Sequence, residues 1–228
     1  MHPGDKVLDV AAGSGNTATS AARRFCDVTE IDYATELIEH ARKRAEVEGM
    51  EITLDVGDAE DLPYPDASFD VVLSTLGVMF APDQEKVAEE LLRICRPEVK
   101  IGLANWTPDG FVGNMFRTVG KHVPPPPGIK PPPLWGTEER LEELLGEGVA
   151  SLRVTHRSYM FRYSSAKHFV EYFRSYYGPT LTAFESLDPH GQEALAEELD
   201  ELLEHWNISG NATIIVPYDY SEVVAVRR

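Results

Sequence analysis

Three acids stand where alternating strands and turns would bring them together. Asp9 lies inside the apolar run Val7-Leu8-Asp9-Val10. Asp32 closes the run Val28-Thr29-Glu30-Ile31-Asp32, 17 residues after Gly15, and Asp58 follows in Gly57-Asp58-Ala59-Glu60. An ionised carboxyl accepts at about four lone-pair positions, so such a set suits a ligand rich in hydroxyl and amine donors or carrying positive charge. Between the first two acids runs Ala11-Ala12-Gly13-Ser14-Gly15-Asn16. Gly13 and Gly15 permit a tight turn and a close approach of backbone to ligand. A helix starting there offers unpaired N–H groups and a positive dipole end. Turns of this kind usually meet part of a nucleotide-like cofactor.

The elements that must position these groups follow from periodicity. Val7, Leu8 and Val10 predict a strand covered on both faces. An Ala-rich helix is expected over Asn16 to Phe25, then a strand ending at Asp32. Thr35 is expected to cap a helix with Leu37, Ile38, Ala41 and Ala45 on its apolar face, ended by Gly49. Ile52, Leu54 and Val56 alternate as a third strand, and Phe69 to Ser74 forms a fourth. Asp83 caps a helix whose Val87, Leu91 and Cys95 share a face, Arg96-Pro97 stops it, and Val99 to Ala104 supplies a fifth strand. Strands alternating with helices imply a parallel, three-layer α/β sheet with its strand C-termini along one edge. Beyond Trp106 the reading gives a helix over Phe111 to Val123 and proline-rich loops at 124–133. A helix from Thr137 to Leu145 and a strand over Leu152 to Tyr163 come next. An aromatic helix follows over Ser165 to Tyr177, then one from Asp188 with Leu195, Leu199, Leu202 and Trp206 inward. A last strand over Ala212 to Val226 is expected to bend or break at Pro217.

Composition narrows the partners. With 38 acidic against 21 basic residues the net charge is −17, which repels nucleic acid and anionic membrane surfaces. Neither cysteine, Cys26 or Cys95, has metal spacing or a disulfide framework, which points to a reducing, cytoplasmic compartment and no metal. No signal peptide and no apolar run long enough to span a membrane is present.

Gly13-x-Gly15-x-x-Ala18 satisfies a loose dinucleotide pattern, with Asp32 near the place of a ribose acid. Asp9, four residues before Gly13, opposes it, because a pyrophosphate would meet a carboxylate. An amine- and sulfonium-bearing cofactor would not. Four ordered motifs, V-L-D-V-A-A-G-S-G, I-D-Y, G-D-A-E-D-L-P and S-F-D-V-V-L-S, resemble the class I S-adenosylmethionine-dependent methyltransferases. The resemblance covers about residues 4 to 106, and the ubiquinone/menaquinone C-methyltransferase branch is the nearest. It implies a Rossmann-like αβα sandwich, with a seven-stranded, mostly parallel sheet, an antiparallel last strand and a helical substrate cap. Residues 1–106 would form the cofactor-binding core. Residues 107–228 would form cap insertions, with the last two strands completing the same sheet.

The resemblance also assigns roles. Gly13 and Gly15 would lie against the methionine portion, with Asp9 holding water or the ammonium. Ala11 stands where many relatives have glycine. Asp32 would accept both ribose hydroxyls and Tyr33 would pack beside the adenine or ribose. Asp58 would accept the adenine amine, and the Ala59 N–H would bond a ring nitrogen. Ser74, Thr75 and Leu76 would close the pocket. Two positions depart from the family. Glu30 replaces a small residue, read either as a strand-end acid reaching solvent or as a changed cofactor pocket, and Glu98-Val99 replaces a glycine pair. Relatives carry helices ahead of the first strand that this chain lacks, so weaker cofactor retention, or a partner chain filling the gap, is expected.

The implied activity is methyl transfer from S-adenosylmethionine to a small molecule by in-line displacement, leaving S-adenosylhomocysteine. A non-catalytic cofactor-binding protein and a nicotinamide dehydrogenase are the alternatives. Met79, Trp106, Phe116, Phe169 and Phe173 are the candidate substrate-lining residues, and Phe80 could border the pocket with Met79. Their apolar character suggests an apolar or aromatic acceptor. Core packing is the competing role for each. No sharp catalytic base stands out; His122 and His168 are the weak candidates. A homodimer stays open.

Overall fold

The structure is a computed structural model that describes residues 1–228, the whole sequence given. It divides into two units, the first comprising 1–105, 130–155 and 221–228 and the second 106–129 and 156–220.

The first unit is built on parallel strands β1 (Lys6–Val10), β2 (Asp27–Asp32), β3 (Ile52–Val56), β4 (Phe69–Thr75) and β5 (Cys95–Trp106). With β6 (Val149–Tyr163) and β7 (Ile214–Arg227) they form a seven-stranded sheet in the order β3-β2-β1-β4-β5-β7-β6. The last two strands are antiparallel. Helices α1 (Asn16–Ala22), α2 (Thr35–Glu48), α3 (Gln84–Ile94) and α5 (Glu138–Leu145) belong to this unit. Val7, Leu8 and Val10 are fully buried, as a strand covered on both faces requires. The chain leaves β1 toward β2 on one side and returns through β4 on the other. The C-terminal ends of β1 and β4 therefore border the crevice where doubly wound sheets bind ligands.

The second unit holds α4 (Phe111–His122), α6 (Ala166–Tyr176), α7 (Gly178–Ser186) and α8 (Pro189–Trp206), and the outer parts of β6 and β7. Its interior is aromatic: Phe111 stacks on Tyr218 at 5.0 Å and Phe169 on Phe173 at 4.1 Å. No helix of the chain is long and apolar enough to cross a membrane.

Several local expectations are corrected. Helix α1 stops at Ala22, and Phe25 adopts a left-handed φ of 61° that a helix cannot continue through. Thr35 is the first helical residue of α2 and not its cap; Ala34 occupies the cap, with its N–H bonded to Asp32. Cys95 leaves the α3 face and opens β5, so the helix ends before Arg96-Pro97. Helix α7, with Pro179 in its first turn, went unread. In α8 the inward residues are Leu195, Leu199 and Leu203, one residue on from Leu202. Tyr172 and Tyr176 are exposed although they share a helix with buried Phe169 and Phe173. Strand β7 runs unbroken through Pro217; its buried positions switch instead from Ile214, Val216 and Tyr218 to Ser221, Val223 and Ala225. That change of parity is what one inserted residue does to a period-two strand, and it falls where the two units divide.

Candidate functional site

The glycine turn after β1 carries the site. Gly13 (φ 66°) and Gly15 (φ 80°) are left-handed, and so is Ala11 (φ 52°), which stands in place of the resembled family's common glycine. A left-handed non-glycine residue costs about 1–2 kcal/mol, so Ala11 stores strain at the cavity wall. Gly15 caps α1 without a side chain. Asp9 supplies the missing cap from beneath: its Oδ2 accepts the Ala18 N–H at 3.0 Å. Gly77, after β4, packs so closely that an added Cβ would stand 2.1 Å from the Ala11 carbonyl oxygen. Only glycine lets these two strand exits touch.

Asp32 is 5% exposed and locked in place. Its Oδ2 accepts the Gly13 N–H at 2.8 Å and its Oδ1 accepts the Ala34 N–H at 2.9 Å. About two of its lone-pair positions remain for other donors. Asp58 is exposed at the end of β3, and its Oδ1 accepts the Glu60 N–H at 2.9 Å. Glu60 in turn accepts the Asp83 N–H at 2.7 Å, tying this loop to the start of α3. These loops enclose a cavity of about 400 Å³. Ala11, Asp32, Tyr33, Asp58, Ala59 and Phe80 line it, together with Gly57, Gly77, Val78, Ala81 and Pro82. An apolar wall with a few polar groups at this volume matches small-molecule sites generally.

Asp9, Gly13, Gly15, Ser74, Thr75, Leu76 and Met79 are not among the residues that line the cavity. Ser74 is buried and accepts the Val78 N–H at 3.1 Å, which shapes the turn after β4. The Thr75 hydroxyl accepts from Thr17 at 2.9 Å. Leu76 is left-handed at φ 59°, and its N–H reaches Ala104. Met79 is fully buried. Glu30 corrects its solvent-facing reading: it is fully buried, paired across the ladder with Asp9, and its Oε2 lies 2.9 Å from where a Gly15 Cβ would be. Burial, then the Asp32 charge, pushes the Glu30 carboxyl up to about 7. Burial, then Glu30, holds Asp9 well above the usual carboxylate range.

A model of the family described as a methyltransferase domain matches residues 8–102, which hold the glycine turn, Asp32, Asp58 and Gly77. An uncharacterized protein of Mycobacterium tuberculosis is 37% identical over the whole of this chain, which covers 83% of that relative. The chain belongs to the class I S-adenosylmethionine-dependent methyltransferases. A demethylmenaquinone methyltransferase of Deinococcus radiodurans is 34% identical over 54% of this chain and 53% of its own length. The phosphoethanolamine N-methyltransferase 2 of Haemonchus contortus, solved in complex with phosphomonomethylethanolamine and S-adenosylhomocysteine, shares the fold. It has a TM-score of 0.62 at 18% identity, over 100% of this chain and 49% of its own.

The methyltransferase cavity fits its cofactor on its own chemistry. The wall carries two carboxylates, Asp32 and Asp58, and no lysine or arginine. That suits hydroxyl and amine donors and a net positive sulfonium, and it suits a pyrophosphate poorly.

In the second unit the methyltransferase uses its aromatics to pack. Phe169 is fully buried against Phe111, Tyr163 and Phe173. Trp106 is 7% exposed and meets Tyr218 edge-on at 5.6 Å, while Phe116 stacks on Tyr177 at 6.4 Å. His122 is engaged by Glu198 at 3.0 Å, and His168 Nδ1 by the Ser164 hydroxyl at 3.0 Å.

Proposed function

We propose that this methyltransferase acts on a small apolar or aromatic acceptor by in-line displacement. Bound S-adenosylmethionine supplies a methyl group on a sulfonium, an electrophile that needs alignment more than activation. Asp32 holds the ribose hydroxyls, with its orientation fixed in advance by the Gly13 and Ala34 N–H groups. Asp58 takes the adenine amine, the Ala59 N–H a ring nitrogen, and Tyr33 packs beside them. The Gly13–Gly15 backbone lies along the methionine portion. The observation that carries this reading is the locked Asp32 carboxylate in a cavity wall with acids and no bases. Tyr33 and Phe80 in the cavity wall support the acceptor class, with Trp106 and Phe116 of the second unit the side chains to test first.

The experiment is methyl transfer from labelled cofactor to a panel of phenols, quinols, amines and thiols. Turnover of a planar aromatic member supports the reading, and turnover confined to charged aliphatic amines overturns the acceptor class. A cofactor-binding protein without transfer activity is the second reading, favoured by the buried acid Glu30 beneath the turn. Any catalysed methylation removes it.

A further inference from the structure

Asp9 caps α1, but the methyltransferase reading gives no role to its buried partner Glu30. They sit opposite each other on parallel β1 and β2, so their side chains leave the same face about 4.8 Å apart. Both are fully buried. Asp9 Oδ1 and both Glu30 carboxyl oxygens have no hydrogen-bond partner. Two adjacent buried carboxylates cannot both stay charged cheaply, because burial and mutual repulsion each favour a proton on one of them. Burial and the Glu30 charge raise Asp9 as well, and only the Ala18 N–H on Oδ2 works the other way, so the two carboxyls titrate as a pair and Asp9 Oδ1 is the acceptor left open to the shared proton. Neighbouring groups act on the pair too. Asp32 on β2 opposes charge on Glu30. Arg44 on α2 favours it, but its guanidinium is already taken by Glu48 and Asn16. Helix α1 contributes no ionisable group at all.

We propose that Glu30 is a positioning residue for the cofactor turn: uncharged, it donates its carboxyl hydrogen to Asp9 Oδ1, and the shared proton holds Gly15 and α1 in their binding geometry. Loss of that proton places two anions under the turn, with the Glu30 carboxylate pressed against Gly15. Cofactor affinity then falls as pH rises. The sign for folding is the same. The Glu30 carboxyl rises from 4.5 to about 7 on folding, so the fold holds a proton that the unfolded chain has released. Its stabilising contribution is complete below 4.5 and is lost as pH rises through about 7.

The inference rests on the methyltransferase reading for its ligand, and two readouts keep the two apart. Calorimetric titration of S-adenosylhomocysteine into the full chain should show affinity falling roughly tenfold from about pH 6 to about pH 8. The Glu30→Gln variant, which keeps a donor and cannot ionise, should bind with an affinity flat across the same range. Thermal melting of the unliganded chain should show wild type losing stability relative to Glu30→Gln as pH rises. Wild-type affinity that is flat or rises with pH overturns the proposal, as does a wild-type melting profile parallel to that of Glu30→Gln. Absence of S-adenosylhomocysteine binding at every pH overturns the methyltransferase reading instead, and the melting comparison still decides the role of Glu30.

Discussion

The glycine turn of the first unit and the aromatic interior of the second are built on opposite principles. In the turn, function resides in backbone: Gly13, Gly15, Gly57 and Gly77 matter for the side chains they lack, and Asp32 is aimed by two N–H groups. In the second unit the large side chains are the structure: Phe111, Phe169, Phe173 and Tyr218 fill one another's surfaces. A backbone-built site tolerates little change of residue type, so it leaves a spaced signature. A core of interchangeable rings leaves none, and binding rings cannot be told from packing rings there by type.

Substitutions in the two regions should therefore act differently. The largest effect is expected at Phe169, where Phe169→Ala should cost about 3–5 kcal/mol in chemical denaturation. A near-neutral stability with a raised acceptor KM would make Phe169 a substrate contact instead. Next, Asp32→Ala should weaken S-adenosylhomocysteine about 100-fold, near 3 kcal/mol, by removing charge-assisted hydrogen bonds. Binding within a factor of about three of wild type would take Asp32 out of the site. Gly77→Ala places a methyl against the Ala11 carbonyl and should cost about 1–3 kcal/mol along with cofactor affinity. An unperturbed melting point would show that the strand exits separate readily. The smallest change is a gain. Ala11→Gly and Glu98→Gly, at φ 52° and 64°, should each stabilise the fold by up to about 1 kcal/mol, read from the denaturation midpoint.

The same contrast explains what the sequence disclosed. The parallel order and the places of Asp9, Asp32 and Asp58 were legible because strand ends and glycines recur at spacings that crossovers impose. Gly77 was not, since its requirement comes from contact with Ala11, which follows a strand distant in sequence. Glu30 was misplaced because a polar residue at a strand end usually reaches water, and here its carboxyl is fully buried against Gly15. Helix α7 and the parity switch of β7 were missed because neither carries a periodic apolar pattern strong enough to override Gly178-Pro179 or Pro217. The family's glycine pair at Glu98-Val99 had a visible consequence: Glu98 takes the left-handed conformation a glycine would have held.

The acid-lined cavity at the ends of β1, β2 and β3 is expected to bind S-adenosylmethionine and no dinucleotide. Parallel calorimetric titrations of the wild-type chain with S-adenosylhomocysteine and with NADH test it most directly. One saturable S-adenosylhomocysteine site, weakened about 100-fold in Asp32→Ala, and no heat from NADH are expected. Saturable NADH binding displaced by S-adenosylhomocysteine, or no S-adenosylhomocysteine binding at any pH, would contradict it.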